Sequence, residues 1–283
     1  MSLEKIVVPL DGSELSDRIV AQLERILRRK DSSVTLARVL PAEARLPGGE
    51  ALVDAAQVHL DGVARALRAR GATVATEVLV GEPADRIVAF AQERGASLIA
   101  MATHGRTGLA RWFRGSTAER VLRASPVPVL VANPFGLGER DERRFGRILV
   151  PLDLSERSTE ILPLVREVAT LYESEVFLLH AIEVPAPLEY PVSFEHLTGA
   201  DATKMLAEQA KKLPGLRVST ATEVGAAAWS IVQTIEREKI DLVAMTTHGR
   251  SGVARWAYGS VAEQVIRHAA CPLLVKRTAG EGD

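Results

Sequence analysis

The sequence predicts an α/β protein made of two similar domains, each a five-stranded parallel sheet carrying four helices. Three observations predict it. Short β-branched apolar runs alternate with segments whose apolar residues recur at helical spacing; the chain has 283 residues, enough for two such domains; and the whole pattern occurs twice. Ile6-Val7-Val8-Pro9-Leu10-Asp11 returns 142 residues later as Ile148-Leu149-Val150-Pro151-Leu152-Asp153. Leu98 to Arg123 returns 144 residues later as Leu242 to Arg267, with 17 of 26 positions identical. Two residues are therefore added in the second copy between these blocks. Repeats this long are domains in tandem, since solenoid units run to about 20 to 50 residues.

Lys5 to Leu10 reads as the first strand, and Leu15, Ile19, Leu23 and Ile26/Leu27 as a helix capped by Ser13. Val34 to Leu40 is the second strand. Beyond the turn-rich 41–49, Val53, Leu60, Val63 and Leu67 mark a helix closed by Gly71. Thr73 to Val80 is the third strand, Pro83 opens a helix that ends at Gly95, and Leu98 to Ala102 is the fourth strand. Ser116 begins the last helix and Val127 to Ala132 forms the fifth strand. Strands and helices in strict alternation imply a parallel sheet covered on both faces. The expected divisions are 1–132, a linker at 133–145 rich in Gly, Pro and charge, and 146–283.

The composition is 47% hydrophobic and 25% charged, with 35 Lys plus Arg against 36 Asp plus Glu. A net charge of −1 supplies no field for nucleic acid or an anionic membrane, so neither is an expected partner. By halves, residues 1–145 hold 21 basic and 18 acidic groups (+3), and 146–283 hold 14 and 18 (−4). No apolar stretch approaches the ~20 residues of a membrane helix and the first residues do not read as a signal peptide, so a cytoplasmic location is expected. The single cysteine, Cys271, excludes an internal disulfide and a multi-cysteine metal site, and it reads as core. His180, inside the run Val176 to Ile182, reads as a hydrogen-bonded core residue. Trp229, standing where the first copy has Asp85, marks a different helix surface in the second copy.

In an open parallel sheet, ligands bind beyond the carboxyl ends of the strands. Two segments of each copy meet there. Pro9-Leu10-Asp11 leaves the first strand, as Pro151-Leu152-Asp153 does in the second copy; either aspartate accepts a ligand hydroxyl or caps the helix that follows. The other segment follows Met101-Ala102: Thr103-His104-Gly105-Arg106, then Gly115-Ser116-Thr117 opening a helix, with His248-Gly249 and Gly259-Ser260 as counterparts. Glycines let backbone amides approach an anion and a helix N-terminus favours negative charge, which makes this either a phosphate cradle or a turn required by chain geometry. His104 and His248 read as lining rather than catalytic, because no nucleophile or acid stands at a fixed spacing from them. Arg106, Arg111 and Arg114, with Arg250 and Arg255, either clamp phosphate or coat a solvated loop.

These residues resemble the universal stress protein family, whose nucleotide-binding members carry Gly, two residues, Gly, nine residues, Gly, then Ser or Thr. Gly105 to Gly115-Ser116 and Gly249 to Gly259-Ser260 fit the later part, and Asp11 and Asp153 fit the strand-exit aspartate. The first glycine of that pattern is Ala102 in one copy and Thr246 in the other. The resemblance implies a Rossmann-like fold in each half and an adenine nucleotide, ATP or AMP with its Mg2+, as ligand. It places adenine near Val39 or Ala181, ribose against Asp11 or Asp153, and phosphates on the glycine loop with Ser116 or Ser260. Thr246 and Leu154, in place of Ala102 and Gly12, favour the first copy as the working pocket. It also implies pairing of the last strands, 127–132 and 272–276, and homodimers. The expected role is nucleotide-dependent regulation rather than catalysis. The rivals are a dimerisation module with decayed pockets and a slow ATPase; related enzymes place Ser-Gly-Gly or His-x-Gly-His after the first strand, where this chain has Asp11-Gly12-Ser13-Glu14.

Overall fold

The computed structural model describes residues 4–26, 32–103, 116–132, 145–183, 199–247 and 259–278. In the first repeat the order is β1 (Lys5–Pro9), α1 (Glu14–Asp17), α2 (Ile19–Ile26), β2 (Ser33–Leu40), a 3-10 turn (Ala42–Arg45), α3 (Glu50–Arg68), β3 (Thr73–Val80), α4 (Pro83–Glu93), β4 (Leu98–Ala102), α5 (Ser116–Ala124) and β5 (Val129–Ala132). The second repeat gives β6 (Arg147–Pro151), α6 (Glu156–Thr159), α7 (Leu162–Tyr172), β7 (Glu175–Ile182), α8 (Gly199–Ala210), β8 (Arg217–Val224), α9 (Ala227–Arg237), β9 (Leu242–Thr246), α10 (Ser260–His268) and β10 (Leu273–Lys276). The chain forms two compact units, Met1–Arg143 with Leu274–Arg277, and Arg144–Leu273 with Thr278–Asp283.

Within the first repeat the strands lie in the order β3-β2-β1-β4-β5, and within the second β10-β9-β6-β7-β8. The pairs β1–β2, β1–β4, β2–β3 and β4–β5 are parallel, as are β6–β7, β6–β9 and β7–β8. Chain order reverses between β1 and β4, and again between β6 and β9. That reversal opens a crevice where the connections leave to opposite faces of the sheet.

Each element follows from its residues. The central strands are apolar on both faces, and Ile6, Val8, Leu98, Ile99 and Ala100 are all buried, as strands covered on two sides require. Helix α3 buries Ala56, Leu60, Ala64 and Leu67, one stripe at helical spacing. It ends where Gly71 takes φ 89° and its N–H bonds the Arg68 carbonyl. Each leucine so buried contributes about 1.5–3 kcal/mol relative to exposure.

Several boundaries differ from the sequence reading; β1 ends at Pro9 rather than Leu10 and β2 starts at Ser33 rather than Val34. The single helix expected after β1 is two pieces, α1 and α2, because the Ser16 hydroxyl bonds the Ser13 carbonyl at 2.9 Å and competes with the helical ladder. The second repeat splits α6 from α7 likewise, with Ser158 bonding the Ser155 carbonyl at 2.9 Å. Strand β5 starts at Val129 rather than Val127: the Ser125 hydroxyl closes a turn on Val127, donating to its carbonyl at 2.7 Å, and Pro128 has no N–H to give a neighbour. Of the expected linker, 133–144 lie outside the described residues, and Phe145 is buried, edge-on to the Tyr172 ring with centroids 5.3 Å apart.

Candidate functional site

The register brings the sequence-predicted residues to one edge. Pro9 pairs with Ala37, so Val39 extends β2 past the end of β1. Met101 and Ala102, paired with Val131 and Ala132, end β4 on the other side of β1. Leu10 is buried and donates its N–H to the Ala37 carbonyl at 2.8 Å, which fixes where the chain turns upward.

Asp11 comes next and is half-buried. Its Oδ1 accepts from the Ser13 N–H at 3.0 Å and from the Ser13 hydroxyl at 2.6 Å. The Ser13 oxygen accepts in turn from the Ser16 N–H at 3.1 Å, which makes Ser13 the N-cap of α1. The cap is thus serine, and the aspartate holds it. The second unit repeats the lattice: Asp153 Oδ1 accepts from Ser155 N at 3.0 Å and Oγ at 2.6 Å, and Ser155 Oγ from Ser158 N at 3.2 Å. An anchored carboxylate beside the crevice is suited to accept hydrogen bonds from hydroxyls.

Between Asp11 and Ser13 the backbone is left-handed, with Gly12 at φ 80°. Leu154 takes the equivalent place at φ 66°, a conformation that costs an L residue roughly 1–2 kcal/mol. The turn is therefore the same in both copies, under strain in the second.

After the fourth strand, Thr103 is buried and its N–H bonds the Ala132 carbonyl at 3.0 Å. His104, Gly105, Arg106, Arg111, Arg114 and Gly115 lie outside the described residues, as do His248, Gly249, Arg250 and Arg255. Helix α5 begins at Ser116 with Thr117 half-buried, and α10 begins at an exposed Ser260. Gly259 caps α10 at φ −58° and ψ 144°, its N–H bonding the Thr247 carbonyl at 2.8 Å. Thr246, at the place of half-buried Ala102, is 7% exposed. Ala181 lies near the end of β7, half-buried and paired with Glu223.

Two residues on the second strands went unread from the sequence as neighbours of this turn. His180 is 6% exposed and its Nδ1 lies 2.7 Å from the Leu152 carbonyl oxygen. Arg38 occupies the same register in the first unit, and its guanidinium lies over Gly12: a Cβ there would stand 2.6 Å from one terminal nitrogen and 2.8 Å from Cζ. Copy-to-copy alignment of β2 with β7 was the available signal. Elsewhere Cys271 is buried and Trp229 is 66% exposed on α9. Among the described residues no cluster of His, Cys, Asp and Glu is grouped to hold a metal, and no helix is long and apolar enough to cross a membrane.

Two parallel α/β repeats, each with an anchored aspartate at its strand-order reversal and a Gly-Ser helix start beyond its fourth strand, define a tandem protein of the Rossmann-like class. The universal stress protein family profile matches residues 2–133 and again 144–277, and the chain belongs to that family. A universal stress protein of Methanocaldococcus jannaschii is 38% identical over 137 residues, 45% of this chain and 81% of that protein. One from Mycolicibacterium smegmatis is 23% identical over 290 residues, 96% of each chain. The crystal structure of a universal stress protein from Archaeoglobus fulgidus superposes with a TM-score of 0.79 at 21% identity, covering 99% of this chain and 100% of that one. It shares the fold.

Proposed function

We propose that the chain is an adenine-nucleotide-responsive stress module, regulatory rather than catalytic, that takes ATP or AMP with Mg2+ at the carboxyl edge of its sheets. Ribose hydroxyls donate to Asp11 or Asp153, the base lies by Val39 or Ala181, and phosphates meet the helix starts at Gly115-Ser116-Thr117 or Gly259-Ser260. Gly259 carries this reading. Its φ and ψ are open to any residue, and among the described atoms an added Cβ would have only the Thr247 carbonyl near it, at an ordinary 3.5 Å. Neither local conformation nor that packing calls for glycine, whereas the close approach of an anion to the helix amides does. Gly115-Ser116 holds the same place in the first repeat.

The first unit is the stronger pocket, because Leu154 and Thr246 put side chains where the first unit has Gly12 and Ala102. Chains associate as homodimers; light scattering at twice 30.5 kDa checks this. Chromatography of small molecules released on denaturing fresh protein, with titration of ATP, ADP and AMP under Mg2+, tests the ligand. The expected result is a stronger site whose binding falls at least tenfold in Asp11→Ala and Gly115→Val, and a weaker second site that is lost in Gly259→Val. Absence of heat and of released nucleotide overturns the reading.

A further inference from the structure

The residues around the first turn differ between the units as a coupled pair. In the first, Gly12 leaves a space that the Arg38 guanidinium fills, with both terminal nitrogens and Cζ between 2.6 and 2.9 Å of where a Cβ would be. In the second, Leu154 carries a side chain at that place, and the residue below it is a short histidine turned back to the Leu152 carbonyl. Arginine with glycine, or histidine with leucine, each fits. Arginine with leucine would put two groups in one space.

The exchange has an electrostatic result. Arg38 is half-buried near the end of β2, beside the turn that follows β1, and its guanidinium makes no hydrogen bond or ion pair with the described residues. A guanidinium brings five donors and a permanent charge, and its planar fork suits a phosphate. His180 is buried, with one ring nitrogen committed to the Leu152 carbonyl. The two strand ends thus carry a permanently charged guanidinium and an imidazole at a matched position, the guanidinium within the half whose net charge is +3 against −4 in the other.

Position narrows the ligand. The phosphate-binding helix start follows β4, on one side of β1, whereas Arg38 stands on β2, on the opposite side. It flanks the aspartate that receives the ribose hydroxyls, not the loop that receives the 5′-phosphates. In parallel α/β nucleotide folds an arginine near the end of the second strand is suited to a phosphate borne on the ribose. We infer that Arg38 is a specificity-determining residue of the first unit, through which that unit favours an adenine nucleotide bearing a phosphate on its ribose 2′- or 3′-oxygen. This rests on the nucleotide reading above.

The test is titration of the full chain with adenosine 5′-monophosphate, adenosine 2′,5′-bisphosphate and adenosine 3′,5′-bisphosphate, in wild type, Arg38→Ala and Arg38→Lys, with melting temperatures recorded for each. One of the bisphosphates is expected to bind about tenfold tighter than the monophosphate, the worth of one charge-assisted contact, at one site per chain. Arg38→Ala removes that advantage by weakening the favoured bisphosphate about tenfold more than the monophosphate, and Arg38→Lys restores part of it. Equal affinities in wild type, an advantage that survives Arg38→Ala, or equal loss for all three ligands overturns the inference and leaves the nucleotide reading standing. Failure of all three to bind wild type removes both.

Discussion

Gly12 and Leu154 occupy one turn in two copies, and their torsions, φ 80° and 66°, show that the turn rather than the residue sets the backbone. Two separate penalties meet at Gly12. A side chain there takes a left-handed φ, and its Cβ also meets the Arg38 guanidinium. Gly12→Ala is expected to cost about 1–2 kcal/mol, and part of that cost should vanish in an Arg38→Ala background. Urea midpoints of the four proteins give the coupling, expected at roughly 0.5 kcal/mol or more; a coupling of zero means the guanidinium moves aside freely. The sequence left Asp11 open between capping and binding. Spacing alone cannot tell them apart, because aspartate and serine are both good caps and stand two residues apart. The three-dimensional lattice separates the roles by giving the cap to Ser13.

At the scale of elements, the strands were the most legible. β3 and β4 begin and end where their apolar runs do, since an apolar run bounded by glycine or a polar turn has few other places to go. Less legible were the breaks made by single hydroxyls, Ser16 and Ser158 within the first helices and Ser125 before β5, because a serine that bonds a nearby carbonyl looks like any solvated serine in sequence. The candidate site divides similarly. The strand-end positions of Asp11 and Ala102 were legible from the apolar runs, whereas the approach of Arg38 to the turn was not, since it depends on the space left by a glycine on another element. The fourth strands offer a test of how the copies start a strand. Before β4, Ser97 Oγ accepts from the Lys5 N–H at 3.1 Å near the surface; before β9, Asp241 Oδ2 accepts from the Arg147 N–H at 2.9 Å, and Asp241 is buried. Asp241→Ala should cost about 2 kcal/mol and Ser97→Ala nearer 1, the ionised acceptor being the stronger partner. Chemical denaturation of both variants checks the order, and equal costs would show that the charge contributes nothing.

For the whole molecule, duplication supplies an internal comparison. Ligand that binds the native state alone raises stability by RT ln(1 + [L]/Kd), about 2.7 kcal/mol at a hundredfold excess over Kd. If the first unit alone binds, calorimetry should show nucleotide shifting one part of the unfolding heat upward while the rest stays in place. A uniform shift would assign ligand to both units.

The turn after the first strand is held by its flanks: the bonds from Asp11 and Ser13 recur at Asp153 and Ser155 with lengths agreeing within 0.1 Å, although the residue between them differs. A bend braced from outside tolerates change at its centre. Mutation is then able to exchange the charge at a strand end in one copy without disturbing the scaffold of either. On that basis a single gene carries an arginine-flanked turn and a histidine-flanked one in fixed one-to-one ratio, each an internal control for the other.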